Sequence, residues 1–319
     1  MHGKLRPTAV SNDGTLLAMT VADKLSLTTL DGNPIYEETT RVFRGAGFES
    51  AIFSADDKVL WVVRHVEGDQ IHLERRHRSN WQIEYYATVD EPAPPTSFSL
   101  SFHPEMQVLV LWGAAGQDGQ WVYWVFDDKS KIQAFEAKQL YSTTPPDFHP
   151  AGGEFVVVND LARLCRYSFP DCDQLETFEW PDMGEYDGIG CCTCYLSDSE
   201  VLVSTSSGRL FVVRLGPMRI AEEVQIRGHE PRPTRELYGL NEDGLCADLQ
   251  WFIPFQTNKL VSVHHQLPCS DHSDEAWKDT LALWTAPGER DRMSTPDNTS
   301  PFTSRFVKRL NGECRITSR

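Results

Sequence analysis

A turn motif that returns about every 45 residues is the feature that most limits how this chain can fold. It first appears as Thr8-Ala9-Val10-Ser11-Asn12-Asp13-Gly14, ahead of the apolar Leu16 to Met19. It returns as Ala51 to Asp57 ahead of Val59 to Val63, and as Leu100 to Met106 ahead of Val108 to Trp112. A fourth copy is Asp147 to Gly152 before Phe155 to Val158, and a fifth is Cys194 to Glu200 before Val201 to Val203. A weaker sixth, Leu249 to Pro254, leads to Leu260 to Val263. The anchors Ser11, Ser54, His103, His149 and Ser197 are 43, 49, 46 and 48 residues apart.

Each copy has the same physical content. A short apolar strand runs into Ser, Asp, Pro and Gly, residues that close tight turns by side-chain hydrogen bonds or permissive backbone angles. A more hydrophobic strand of Val, Leu and Trp follows, as suits a sheet covered on both faces. A second turn then carries Asp23, Asp69, Asp118, Asp160 or Asp279 before a third strand, with Ser207-Gly208 in the fifth copy. Several copies close on a more polar fourth strand: Asn80 to Tyr86, Gln133 to Ala137, Leu175 to Trp180 and Glu222 to Ile226. Four short strands per copy, about six copies and almost no helical periodicity predict an all-β propeller of four-stranded blades. A pair of β-sandwiches also uses short strands and turns, but has no fixed repeat of this length. Six blades are clear. Asn311-Gly312, a strong hairpin signal, joins Phe306–Leu310 to Glu313–Ile316. That hairpin either completes the sixth blade or helps to form a seventh. The whole chain, 1–319, reads as one domain.

The turn of Ser or His-Pro with Asn-Asp-Gly before an apolar strand, followed by a turn Asp, resembles the WD-repeat propellers from Thr8 to Trp284. The copies are degenerate: Gly-His occurs as Gly228-His229, and Leu30-Asp31, Phe126-Asp127 and Trp284-Thr285 are the nearest to the closing Trp-Asp. The resemblance implies a non-enzymatic protein-interaction scaffold whose partners are proteins.

Charge narrows the partners further. The net charge is −16 with a pI near 5.0, which argues against nucleic acid or an anionic membrane as the partner. Met1 to Pro7 runs into polar Ser11, Asn12 and Asp13 rather than an apolar segment, so no secretory signal is expected. Eight cysteines are too few for a disulfide framework and read as buried thiols. A cytoplasmic protein is the expectation.

Three insertions exceed the repeat: Gly228–Leu245, His264–Asp279 and Ala286–Pro301. Long loops on a rigid scaffold are where binding residues concentrate. The first two supply Arg232, Arg235, Tyr238 and Trp277, the residue types that dominate interface energetics, and these are the expected partner-binding residues. His264, His265, Cys269 and His272 are the densest possible metal ligands. Their spacing matches no established zinc pattern, and a polar loop explains them equally; no metal and no cofactor are expected. Cys192 and Cys194 share a strand face, which fits small core residues. His103-Pro104 and His149-Pro150 suggest a lactonase-like propeller hydrolase with a polar or metal site at the central channel, the alternative to the scaffold. Both histidines, however, occupy the Ser position of the turn. No nucleophile elbow, phosphate loop or zincin helix is present, and no catalytic residue is assigned. Asp171 to Asp187 carries seven carboxylates without Lys or Arg, as a solvated outer strand or a lure for a basic partner. Arg75-Arg76-His77-Arg78 and the C-terminal Arg305, Lys308, Arg309, Arg315 and Arg319 are basic against the overall trend, and read as protecting exposed sheet edges or docking an acidic partner.

Overall fold

A computed structural model describes residues 6–21, 24–30, 32–40, 47–66, 70–89, 95–104, 108–115, 120–126, 132–141, 146–159, 163–180, 190–205, 210–224, 240–241, 244–245, 248–256, 259–266, 278–285 and 303–309. Among them are six four-stranded sheets, each with its strands in chain order, and one two-stranded sheet. Sheet 1 holds β1 (Arg6–Val10), β2 (Leu16–Val21), β3 (Lys24–Thr29) and β4 (Pro34–Thr39). Sheet 2 holds β5 (Phe48–Phe53), β6 (Val59–Val66), β7 (Gln70–His77) and β8 (Ile83–Val89). Sheet 3 holds β9 (Pro95–Phe102), β10 (Leu109–Ala115), β11 (Gln120–Phe126) and β12 (Ile132–Tyr141). Sheet 4 holds β13 (Asp147–Phe148), β14 (Glu154–Val158), β15 (Leu164–Ser168) and β16 (Gln174–Phe178). Sheet 5 holds β17 (Gly190–Ser197), β18 (Glu200–Thr205), β19 (Leu210–Arg214) and β20 (Arg219–Val224). The short pair β21 (Leu240–Asn241) and β22 (Gly244–Leu245) precedes sheet 6, made of β23 (Asp248–Gln256), β24 (Lys259–Gln266), β25 (Lys278–Thr285) and β26 (Thr303–Arg309). The described residues contain no helix.

Several expected boundaries shift. The third strand of the fourth copy begins at Leu164, three residues after Leu161, and the fourth strand of the second copy runs Ile83–Val89 rather than Asn80–Tyr86. The expected loop His264–Asp279 is shorter, because β24 extends through Gln266 and β25 starts at Lys278. The Gly228–Leu245 link contains a β-hairpin at its end. Strand β26 pairs with β25, so Phe306 to Arg309 belongs to the sixth sheet. Asn311-Gly312, Glu313–Ile316, Ala286–Pro301 and the second-turn residues Asp23, Asp69, Asp118, Asp160 and Ser207-Gly208 lie outside the described residues.

The chain divides into two compact units, residues 1–157 with 166–175, and residues 158–165 with 176–319. In the first, the core forms where sheets face each other. Leu25 and Leu27 of β3 meet Leu60 and Val62 of β6, with Ala9, Ala18, Phe48, Phe53 and Trp81. The opposite face of sheet 2, with Val63, Ile71, Leu73, Ala87 and Val89, packs on Phe98, Leu111, Trp124 and Phe126 of sheet 3. Alternate residues of the middle strands therefore serve two different cores, which is why these strands read as continuous apolar runs. In the second unit, Val201, Leu202, Val203, Phe211, Val212 and Val213 of sheet 5 are buried. Trp180 packs against Phe211 in a tilted arrangement with ring centroids 5.2 Å apart. Outer strands carry ion pairs to their neighbours, Lys24 to Glu37 at 2.7 Å and Arg75 to Glu84 at 3.5 Å, a polar dressing that suits a sheet edge.

The basic run Arg75–Arg78 does not form one exposed patch. Arg76 is buried at 1% exposure, between Glu74 and Glu38 at 2.5 Å each, and Arg78 turns to Asp13 at 2.8 Å. Only Arg75 stays exposed, paired with Glu84. The reading fails because a middle strand buries both faces: successive side chains part to opposite sides, and the inward one needs carboxylate partners.

Candidate interaction surface

In sheets 1 to 4 the repeated turn has one backbone pattern, whereas in sheet 5 the expected anchor Ser197 is a strand residue that pairs with Glu200 across a two-residue hairpin. The anchor N–H donates to the carbonyl five residues on: Ser11 to Leu16 at 3.0 Å, Ser54 to Val59, His103 to Val108 and His149 to Glu154 at 2.9 Å each. The residue three after the anchor donates back to it, Gly14 to Ser11, Asp57 to Ser54 and Gly152 to His149. That third position has positive φ in all three cases, +69°, +57° and +74°. Glycine takes this conformation freely and Asp tolerates it better than most residues. Serine anchors add a side-chain bond: Leu16 N–H donates to Ser11 Oγ at 2.9 Å, and Val59 N–H to Ser54 Oγ at 3.1 Å.

The third turn of a sheet, between its third and fourth strands, joins the same end. Leu30 N–H donates to the Thr15 carbonyl, Arg78 to Lys58, Phe169 to Gly153 and Leu215 to Ser199, at 2.8–3.3 Å. First and third turns thus form one hydrogen-bonded end on each of these sheets.

In the first unit, neighbouring ends are stapled. Asp57 of the sheet 2 turn accepts from the Asn12 and Asp13 backbone N–H groups of the sheet 1 turn, both at 2.7 Å, and from the Asn12 amide at 3.0 Å. Arg78 crosses the same boundary, donating to Asp13 at 2.8 Å and to Thr15 Oγ1 at 2.9 Å. Burial would raise the Asp13 pKa, but bonds from Ser11, Thr15 and Arg78 hold it well below the usual carboxylate range. Exposed Asp56 is held at about 2 by bonds from Lys58 and Ser54. These carboxylates are therefore anions at neutral pH. Between sheets 3 and 4, buried His103 donates from Nε2 to the Gly152 carbonyl at 2.7 Å. Its ring sits 5.1 Å from Phe148 and 5.2 Å from Phe169. The surface is a row of turns whose acceptors already hold backbone N–H groups, with Asp13, Asp56, Lys58 and Arg78 reaching solvent.

The expected site residues are distributed differently. Arg232, Arg235, Tyr238, Trp277, Cys269 and His272 lie outside the described residues. His264 and His265 are strand residues, pairing with Gln250 and Leu249 on one side and Thr280 and Asp279 on the other. Among the described residues, no group of three His, Cys, Asp or Glu side chains is placed to hold a metal. His103 and His149 are both turn residues; His149 Nδ1 accepts from Ala151 N–H at 3.0 Å. Cys165, Cys172 and Cys194 are buried thiols, and burial pushes the Cys172 thiol up to about 12. The acidic segment is partly used internally: Glu176 accepts from Met218 N–H at 2.6 Å and Glu179 pairs with Arg163 at 2.6 Å, while 181–187 is outside the described residues. The sequence marks Asn12, Asp57 and Gly152 only as turn residues and Arg78 only as part of a basic run, without their bonds to the next sheet. The available signal was the third position after each anchor, where Asp57 stands in place of glycine.

No protein-family model matches the chain, and no curated protein matches it. Among solved structures it is similar to the β-propeller domain of Cps50 (Swd1) from Myceliophteria thermophila, with a TM-score of 0.54. The match covers 99% of this chain and 88% of that one, at 10% identity. The fold is propeller-like. In these terms the sheets are blade-like units, and the repeated turn opens each between its first two strands.

Proposed function

We propose that this protein is a non-enzymatic scaffold for protein–protein interaction, a single WD-repeat-like propeller spanning 1–319. Six four-stranded sheets serve as its blades, and β26 closes the sixth. The cytoplasm is its site of action and proteins are its partners. The observation that carries the reading is the stapled turn surface: Asp57, Arg78 and His103 fix the turns of adjacent sheets to one another. A surface held in this way meets a partner with little further ordering cost, which is the physical use of a rigid display platform. The propeller-like fold supports the same reading.

Arg232, Arg235, Tyr238 and Trp277 remain the proposed contact residues, because Arg and large aromatics bury area and make directional contacts. The test is affinity capture from cytoplasmic extract with the native protein, Trp277→Ala, Arg235→Ala and the turn-surface variant Asp56→Ala/Lys58→Ala. Each variant is first checked for native melting. Loss of the same captured protein in Trp277→Ala or Arg235→Ala supports the insertion residues. Loss only in the turn variant moves the contact to the stapled surface, and no loss in any variant refutes the scaffold assignment to these faces.

A further inference from the structure

The sheet 1–sheet 2 core holds a charge network, whereas the cluster between sheets 2 and 3 is built of apolar side chains, with His65 against Phe98. Glu74 and Arg76 of β7 are almost completely buried and joined at 2.5 Å. Arg64 of β6 pairs with the other Glu74 oxygen, leaving sheet 2 one positive charge in excess. Sheet 1 supplies the balancing charge: Glu38 of β4 lies 2.5 Å from Arg76 and 3.8 Å from Arg64. Tyr36 donates to Glu38 at 2.6 Å and accepts from Arg76 at 3.3 Å. Both guanidinium groups also lie within 6 Å of the Phe48 ring centroid, at 5.8 and 5.9 Å.

The repeat allows each position to be compared across sheets. Counted from the anchors, Leu60 and Val62 of β6 correspond to Leu109 and Leu111 of β10. Their cross-strand partners are Arg76 and Glu74 in sheet 2, but Phe126 and Trp124 in sheet 3. On the facing side, Leu25 pairs with Glu38 in sheet 1, whereas its counterpart Leu73 in sheet 2 pairs with Ala87. A sheet 1 placed against sheet 3 would bury Glu38 against Trp124 and Phe126. A sheet 2 placed against a face that lacks a carboxylate at the position of Glu38 would bury a net positive charge without a partner.

We infer that the Glu38–Arg64–Glu74–Arg76 network is a pairing code that directs sheet 2 to pack on sheet 1 during folding, in a chain whose apolar sheet faces are otherwise interchangeable. Apolar contact is non-directional, so similar faces compete for one another. A buried charge left without its partner is strongly disfavoured, and this penalises every wrong pairing. The network itself adds little net stability, because desolvation offsets its attraction.

The test uses full-length protein refolded from urea, read by hydrogen-exchange mass spectrometry on peptides covering β4 and β7 and by thermal melting. The variant Glu38→Leu/Arg64→Met/Glu74→Leu/Arg76→Met removes the code but keeps apolar volume. It is expected to melt within a few degrees of the native protein. After refolding, its β4 peptides should show two mass envelopes, with the poorly protected one at least about fivefold more populated than in the native protein. A second comparison stands if that variant does not fold: Glu38→Gln against Leu73→Ala, each refolded at the urea concentration giving equal stability. Glu38→Gln should give several-fold more of the second envelope. A single β4 envelope in the quadruple variant, or equal envelopes in the second comparison, overturns the proposal. A quadruple variant that folds but melts far below the native protein, together with equal envelopes for Glu38→Gln and Leu73→Ala, makes the network a source of stability rather than of pairing choice and overturns the proposal.

Discussion

The His103–Gly152 contact gives a quantitative test of how the turns of sheets 3 and 4 are held. A Cβ at Gly152 would fall 2.3 Å from His103 Cε1 and 2.8 Å from Nε2, well inside contact distance. The φ of +74° adds a cost of about 1–2 kcal/mol for any L side chain. Moving the imidazole aside forfeits its bond to the Gly152 carbonyl, about 1 kcal/mol, and forces an off-rotamer side chain, about 1 kcal/mol more. The lower chain entropy of Ala in the unfolded state returns about 0.5–1 kcal/mol. Gly152→Ala should therefore cost about 3 kcal/mol in urea unfolding. Gly153→Ala, where nothing lies within 4 Å of the added carbon, should stay within about 0.5 kcal/mol of native. In a His103→Ala background the clash disappears and only the backbone term remains, about 1 kcal/mol. The double-mutant cycle should thus show coupling of about 2 kcal/mol. A cost of Gly152→Ala unchanged by His103→Ala would refute the contact as its cause.

Three further outcomes follow from the same geometry. Asp57→Ala removes the acceptor of two backbone N–H groups and should cost about 3 kcal/mol in urea unfolding, while Asp57→Asn, which keeps one acceptor oxygen and tolerates the same φ, should cost less; equal values would remove φ tolerance and the neutral acceptor from the account. Burial alone would raise the Glu38 pKa, yet bonds from Arg76 and Tyr36 and the charges of Arg76 and Arg64 lower it, so its contribution is complete above the ordinary carboxylate value and fades as pH falls through the lowered one. Glu38→Gln should flatten the fall in unfolding free energy over that acid range, and a pH profile parallel to native would contradict this. Cys165, Cys172 and Cys194 should resist a thiol-specific alkylating reagent at pH 8 until urea unfolds the chain, as read by peptide mass spectrometry; rapid labelling of Cys172 in the native protein would contradict its burial.

Local signals carried much of the architecture. The turn residues and apolar runs placed the first two strands of each sheet, because turn closure is a short-range matter of Ser, Asp and Gly. Phe306 to Arg309 could not be placed by such signals, since joining β25 depends on pairing across 286–302. Arg76 was misread for a related reason. The alternation of Ile71 and Leu73 with His72, Glu74 and Arg76 showed two faces, but not that both were covered. The staples were invisible because each joins residues about 45 apart, Asn12 to Asp57 and His103 to Gly152, and hydrogen-bond partners at that separation have no mark in either segment.

In sheets 1 to 4 the backbone of the repeated turn closes in the same way whether its anchor is Ser or His. Ser11 and Ser54 spend their hydroxyls within their own turn, whereas the His103 imidazole is released to reach the next sheet. The anchor is thus a position of spare capacity: local closure survives a change of side chain there, and the new side chain can acquire a neighbour. A chain that grows by copying one sheet at a time could diversify its joints through this residue without disturbing the hairpin that carries it. For engineering, the anchor is a position where the joint between two sheets can be retuned by a single residue while the backbone bonds of its own hairpin stay in place.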